Sequence, residues 1–191
     1  GTPTSMAELL ERSGPRLRPE EADTAVFYSI TSCQPGLAGI NLGNELLKTV
    51  VGLLRSELPN LRRFVTLSPI PTLRAADLDL APEVRAELDD GRWLDGDDAR
   101  VREPLLRATA RYLTTLDGGR VRDPVAHFHL SNGALVDALR WRANTADYGI
   151  ADSWGVMVSY RYDPERIAAN AAAYDAGEAV PVSEEIEALL A

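Results

Sequence analysis

The sequence predicts an α/β fold, in the broad sense that includes α+β, and three observations carry that prediction. A β-patterned run extends from Thr24 to Thr31, an amphipathic pattern from Leu46 to Leu58, and a second apolar run from Phe64 to Leu67. Strand, turn, helix and strand in this order normally make a crossover between two parallel strands. The chain has 191 residues and 45% hydrophobic content, enough for one core, so residues 1–191 are read as a single domain.

Taken in order, Ser5-Met6-Ala7-Glu8 fits a capping box and Gly14-Pro15 a stop, which predicts a short helix over residues 6–13. In the first strand Val26, Tyr28 and Ile30 share one face. The turn that follows is rich in glycine and opens a helix, so its unpaired backbone N–H groups can hold a phosphate or pyrophosphate. Leu46, Leu47, Val50, Val51, Leu54 and Leu58 then recur at spacings of three and four, and Pro59 ends the helix. Pro69 and Pro71 close the second strand. Residues 74–102 are acidic and weakly periodic, lack the alternate ligands of a calcium loop, and read as a solvated loop. Pro104 to Leu116 forms a helix, Asp123-Pro124 caps another that runs into His129, and Ser131-Asn132-Gly133 breaks it. Ala134 to Arg142 and Gly155 to Tyr162 are extended. Asp163-Pro164-Glu165 opens an Ala-rich helix ending near Gly177, and Ser183 caps the last one.

Composition excludes several functions. A net charge of −9 without a basic stripe argues against nucleic-acid binding. Cys33 is the only cysteine, lies in an apolar strand pattern, and reads as a buried inert thiol. No apolar run reaches the roughly 20 residues that span a bilayer, and no signal-peptide pattern opens the chain, so a cytoplasmic protein without membrane partners is expected. The start at Gly1 fits a fragment or a processed product. No P-loop, dinucleotide fingerprint, zinc spacing or Ser-His-Asp order occurs.

Two histidines exist, His127 and His129, and on a helix they lie about 200° apart, so at most one faces a given pocket. Spacing alone leaves each of them open to a structural role. Ser68 either caps the turn made by the two prolines or, from the carboxyl end of a parallel strand, reaches a reacting acyl group. Trp93, Trp141, Trp154, Tyr160 and Tyr162 have the spacing of strands and a core. Arg140, Arg142 and Arg161 could meet a ligand phosphate, although ion pairing with the excess carboxylates is the simpler use.

Five segments together resemble the catalytic domain of the malonyl-CoA decarboxylase family: FYSITSCQPGLAGINLGN from Phe27 to Asn44, TLSPIP from Thr66, ARYL from Ala110, DPVAHFHLSNGA from Asp123, and MVSYRYDPE from Met157. The resemblance implies a GCN5-type acetyltransferase-like fold, a mixed sheet flanked by helices, here lacking its first strands and the helical domain that precedes them. It implies a coenzyme A-binding strand-turn-helix-strand at about residues 24–68, with Gln34, Gly36, Leu37, Ala38, Gly39, Ile40, Asn41, Leu42, Gly43 and Asn44 contacting malonyl-CoA. The family's catalytic serine and histidine fall on Ser68 and His129, not His127. Where animal members have a glutamate, this chain has Asn41. The implied reaction is decarboxylation of malonyl-CoA to acetyl-CoA and CO2 through an enolate that the pair stabilises and protonates. No metal or redox cofactor is implied, coenzyme A being part of the substrate, and a homo-oligomer is the expected assembly. The alternatives are coenzyme A-dependent acetyl transfer and a non-catalytic coenzyme A-binding or assembly fragment.

Overall fold

The computed structural model describes residues 2–11, 18–30 and 42–191. The first helix, α1 (Met6–Leu10), starts where Ser5 Oγ accepts the Glu8 N–H. The capping pattern is met with one difference, because the Glu8 carboxylate reaches past Ser5 to the Thr4 N–H and hydroxyl at 2.8 and 2.9 Å. Met6 and Leu9 cover a small apolar cluster of Leu67, Ala143 and Met157, and the Met6 N–H donates to Ala143 O.

β1 (Thr24–Tyr28) and β2 (Arg63–Leu67) are parallel, with Thr24 opposite Arg63 and Tyr28 opposite Leu67. They are joined through α2 (Leu42–Glu57), so the expected strand, helix, strand unit is present. Its apolar face is narrower than the spacing predicts. Leu47 and Val51 are buried, whereas Leu46 is 64% exposed at the border of the stripe. On β1 it is Ala25 and Phe27 that pack on the core, which turns Tyr28 toward solvent.

The sheet continues with β3 (Leu135–Arg140) and β4 (Met157–Arg161), both antiparallel to their neighbours, in the order β1-β2-β4-β3. The mixed sheet flanked by helices is therefore as expected. β1 has one strand neighbour among the described residues.

Residues 74–102 depart from the solvated loop expected of them. They form α3 (Pro82–Asp90), a 3-10 turn at Arg92–Leu94 and the start of α4 (Ala99–Thr114). Pro82 takes the first helical position and Gly91, at φ +76°, ends the helix in the left-handed region. Leu88 and Trp93 anchor the segment, and the indole N–H of Trp93 donates to Leu88 O at 3.0 Å. α4 begins five residues before Pro104. The proline removes one backbone donor, but burial of Val101 and the Asp98 carbonyl, which accepts from Val101 and Arg102, hold the extra turn.

α5 (Pro124–Ser131), α6 (Asp147–Ser153), α7 (Ile167–Asp175) and α8 (Glu184–Leu190) complete the elements among the described residues. α6, between β3 and β4, was not signalled by any periodic pattern. α8 packs on α4 and β3, while α5 packs on α7 and β3. Ser183 Oγ caps α8 by accepting the Ile186 N–H. Among the described residues no helix is long and apolar enough to cross a membrane.

Candidate active site

Ser68 directly follows β2. Its N–H and C=O exchange hydrogen bonds with Val158 of β4 at 2.9 and 3.0 Å, so the sheet holds it in place before the prolines end the ladder. It stands at the carboxyl end of a strand whose other neighbour is parallel, a position where open α/β sheets bind ligands.

His129 comes from α5. Asp123 Oδ1 accepts the N–H groups of Val125 and Ala126 at 3.0 and 2.9 Å, and Pro124 occupies the first turn, as the sequence predicts. The last turn is closed by Gly133 at φ +80°, whose N–H donates to Leu130 O, and by Ala134 N–H, which donates to His129 O.

The fold brings these two residues together across 61 positions of sequence, with Ser68 Oγ 3.1 Å from His129 Nε2. Only 5% of Ser68 and 2% of His129 are exposed. Tyr162 Oη lies 2.8 Å from His129 Nδ1, and the Tyr160 ring stacks on the imidazole at 4.4 Å and 24°. One further bond ties the two segments. Thr72, four residues after Ser68, donates to Asp123 Oδ2 at 2.7 Å and is itself within 2.7 Å of Tyr112 Oη. The capping residue of the histidine helix thus also anchors the serine loop.

His127 takes another direction. Its Nδ1 is 2.9 Å from Tyr174 Oη on α7, and that hydroxyl oxygen accepts the Val121 N–H. The geometry therefore separates two histidines that spacing alone left equivalent.

Burial lowers the His129 pKa from the usual histidine range near 6.5 to about 3, because a charged imidazolium would be stripped of water there. Burial likewise pushes the Tyr162 phenol up, so it keeps its proton. This has a consequence for stability. The unfolded histidine takes up a proton below about 6.5 and the folded one does not until about 3, so stability is full above that window and is lost as pH falls through it. The slope from this one group is up to about 1.4 kcal/mol per pH unit. Urea unfolding at neutral and mildly acid pH should show this slope diminished in His129→Gln.

Of the expected ligand contacts, Gln34, Gly36, Leu37, Ala38, Gly39, Ile40 and Asn41 lie outside the described residues, as does Cys33. Leu42, Gly43 and Asn44 open α2, and their side chains also fall outside. The three arginines are engaged within the fold. Arg140 pairs with Glu185 at 3.6 Å, Arg161 with Asp137 at 2.9 Å, and Arg142 donates to Leu94 O at 2.6 Å. A groove of about 480 Å³ between residues 79–84 and α4 is lined by Arg100, Arg107 and Arg111 and excludes Ser68 and His129. Its arginines are met by Glu87, Glu103 and Asp79.

The spacing of Tyr160 and Tyr162 predicts packing residues. They are buried, and they also touch His129 on two sides. Their alternation in Tyr160-Arg161-Tyr162 puts both on one strand face, the signal that could have linked them to one partner.

The fold and site define a mixed α/β domain with a buried serine–histidine pair at the carboxyl end of a parallel strand. Comparison with known proteins makes this specific. The family model described as malonyl-CoA decarboxylase C-terminal domain matches residues 1–191, and the chain belongs to that family. Mitochondrial malonyl-CoA decarboxylase of Anser anser anser is 34% identical over 200 residues, covering 87% of this chain and 40% of that protein. The crystal structure of malonyl-CoA decarboxylase from Agrobacterium vitis is 38% identical with a TM-score of 0.89, over 100% of this chain and 51% of that one. That from Rhodopseudomonas palustris is 36% identical with a TM-score of 0.88, over 99% and 47%. The chain thus spans about half the length, or less, of these relatives.

Proposed function

We propose that this chain decarboxylates malonyl-CoA to acetyl-CoA and CO2, with Ser68 and His129 as the catalytic pair. The observation that carries the proposal is the buried Oγ to Nε2 contact of 3.1 Å at the end of β2, in a chain of this family. When the carbon–carbon bond breaks, its electron pair passes into the thioester enolate and CO2 departs. Negative charge grows on the enolate oxygen, so donors fixed beside it favour the transition state over the ground state.

With its pKa near 3, His129 is neutral at physiological pH and acts through a neutral Nε2–H. A neutral imidazole is a competent electrophilic donor to an enolate. Transfer of that proton to the α-carbon completes acetyl-CoA, and the ring regains a proton from water. Ser68 accepts a hydrogen bond and orients the malonyl carboxylate. In this reading the segment Gln34 to Gly39 and the residues that open α2 take the pyrophosphate, as the family resemblance implies, and no metal or redox cofactor takes part.

Release of labelled CO2 from malonyl-CoA tests the reading. Transfer of an acetyl group to an added amine with little CO2 would favour acetyl transfer, and binding without turnover would favour a non-catalytic coenzyme A module. The same reading expects a homo-oligomer in the cytoplasmic fraction, although the relative from Anser anser anser is named mitochondrial. Sedimentation and cell fractionation decide those two points.

A further inference from the structure

We propose that Thr66 is the positioning residue that sets the direction of the protons in the Ser68–His129 pair. The inference rests on the reading of that pair as the reacting centre. Thr66 is fully buried in β2, two residues before Ser68, so the two side chains share a strand face.

The sheet departs from a regular ladder on both sides of β4, on the β2 side without any change of register. Val65 lies opposite Arg161 and Ser68 opposite Val158, yet the two intervening pairs, Thr66 with Tyr160 and Leu67 with Ser159, are absent from the ladder. The Tyr160 N–H donates to Thr66 Oγ1 at 3.1 Å, and the Thr66 carbonyl accepts from Ser159 Oγ at 2.7 Å. On the other side β3 inserts Asp137, with Val136 opposite Tyr160 and Ala138 opposite Ser159. Bulges of this kind re-aim side chains beside active sites.

A backbone N–H can only donate, so one lone pair of Thr66 Oγ1 is committed to Tyr160. The other receives the Ser68 hydroxyl, whose geometry at 2.9 Å suits Ser68 as donor. With its own proton placed on Thr66, Ser68 Oγ turns its lone pairs to His129 and accepts the Nε2–H. Nδ1 is then the acceptor, and the Tyr162 hydroxyl fills it. The protons of Tyr162, His129 and Ser68 then each have one acceptor, His129 Nδ1, Ser68 Oγ and Thr66 Oγ1 in turn. In the reverse direction Ser68 would donate to Nε2, the imidazole proton would sit on Nδ1, and the ring would have none to offer a substrate.

NMR of the labelled imidazole nitrogens reads this directly. The wild-type chain should carry the His129 proton on Nε2. Thr66→Val keeps the branched shape and removes the acceptor, so Ser68 turns its proton to Nε2 and the His129 proton moves to Nδ1. The kcat for CO2 release should then fall about tenfold to a hundredfold while KM changes by less than about twofold. Thr66→Ser should restore both readings. A wild-type proton on Nδ1 overturns the proposal and requires no variant. So does a Thr66→Val protein that keeps both the Nε2–H and the wild-type kcat. If the wild type released no CO2, the proposed reaction would fall, and the nitrogen spectra would still decide the role of Thr66.

Discussion

With alanine at position 129, CO2 release from malonyl-CoA should fall by about a hundredfold or more, equivalent to about 3 to 4 kcal/mol of barrier. In the proposed mechanism the imidazole is the neutral donor beside Ser68, with Tyr162 Oη next to Nδ1 and Ser68 Oγ next to Nε2. Alanine removes the donor and leaves a cavity against Tyr160, costing about 2 to 4 kcal/mol of stability. Activity is therefore read with the folded fraction measured by circular dichroism at the assay temperature. Equal turnover in wild type and His129→Ala would sink the assigned mechanism. The pH profile gives a second check. An imidazole held near 3 contributes no limb between about pH 5 and 8, so a rate that follows a titration near 6.5 would mean the charged ring is the acid.

Gly133→Ala should destabilise the chain by roughly 3 kcal/mol or more. The residue sits at φ +80°, and an added Cβ would stand 2.1 Å from the Ile167 carbonyl oxygen. The obstacle is backbone at the start of α7, so no side-chain rotation relieves it. Asn170 of α7 also donates to Gly133 O at 3.2 Å, and a retreat of that helix would stretch the bond. Gly118→Ala is the control. It has φ +60° with nothing within 4 Å, so only the conformational cost of about 1 to 2 kcal/mol applies. Urea midpoints that shift equally in the two variants would show that α7 yields freely.

The elements legible in the sequence were those with strong local signals. α2 and β2 followed from periodicity and proline punctuation, and α5 from Asp123-Pro124, because capping depends on residues adjacent in the chain. α3 escaped because it buries a single fully enclosed leucine, Leu88, and its remaining surface is charged. Its stability comes from Trp93 and from contact with α4, neither of which periodicity reports. Ser68 already stood out by its place at the carboxyl end of β2, but the choice of His129 over His127 came only through the family resemblance, since spacing gave no preference between them. Thr66 and Thr72 were invisible for a different reason. Each acts through a partner at least 51 positions away, and such meetings depend on register.

Because Thr72 meets Asp123 across 51 positions and Ser68 meets His129 across 61, the site should be completed late in folding. Helices such as α4 and α5 can form from local contacts, but closing a loop of that length costs entropy that only long-range packing repays. A refolding chain should therefore regain helical signal before it regains turnover. The two phases, followed by circular dichroism and by CO2 release, would measure how long the helices wait for the sheet to join them.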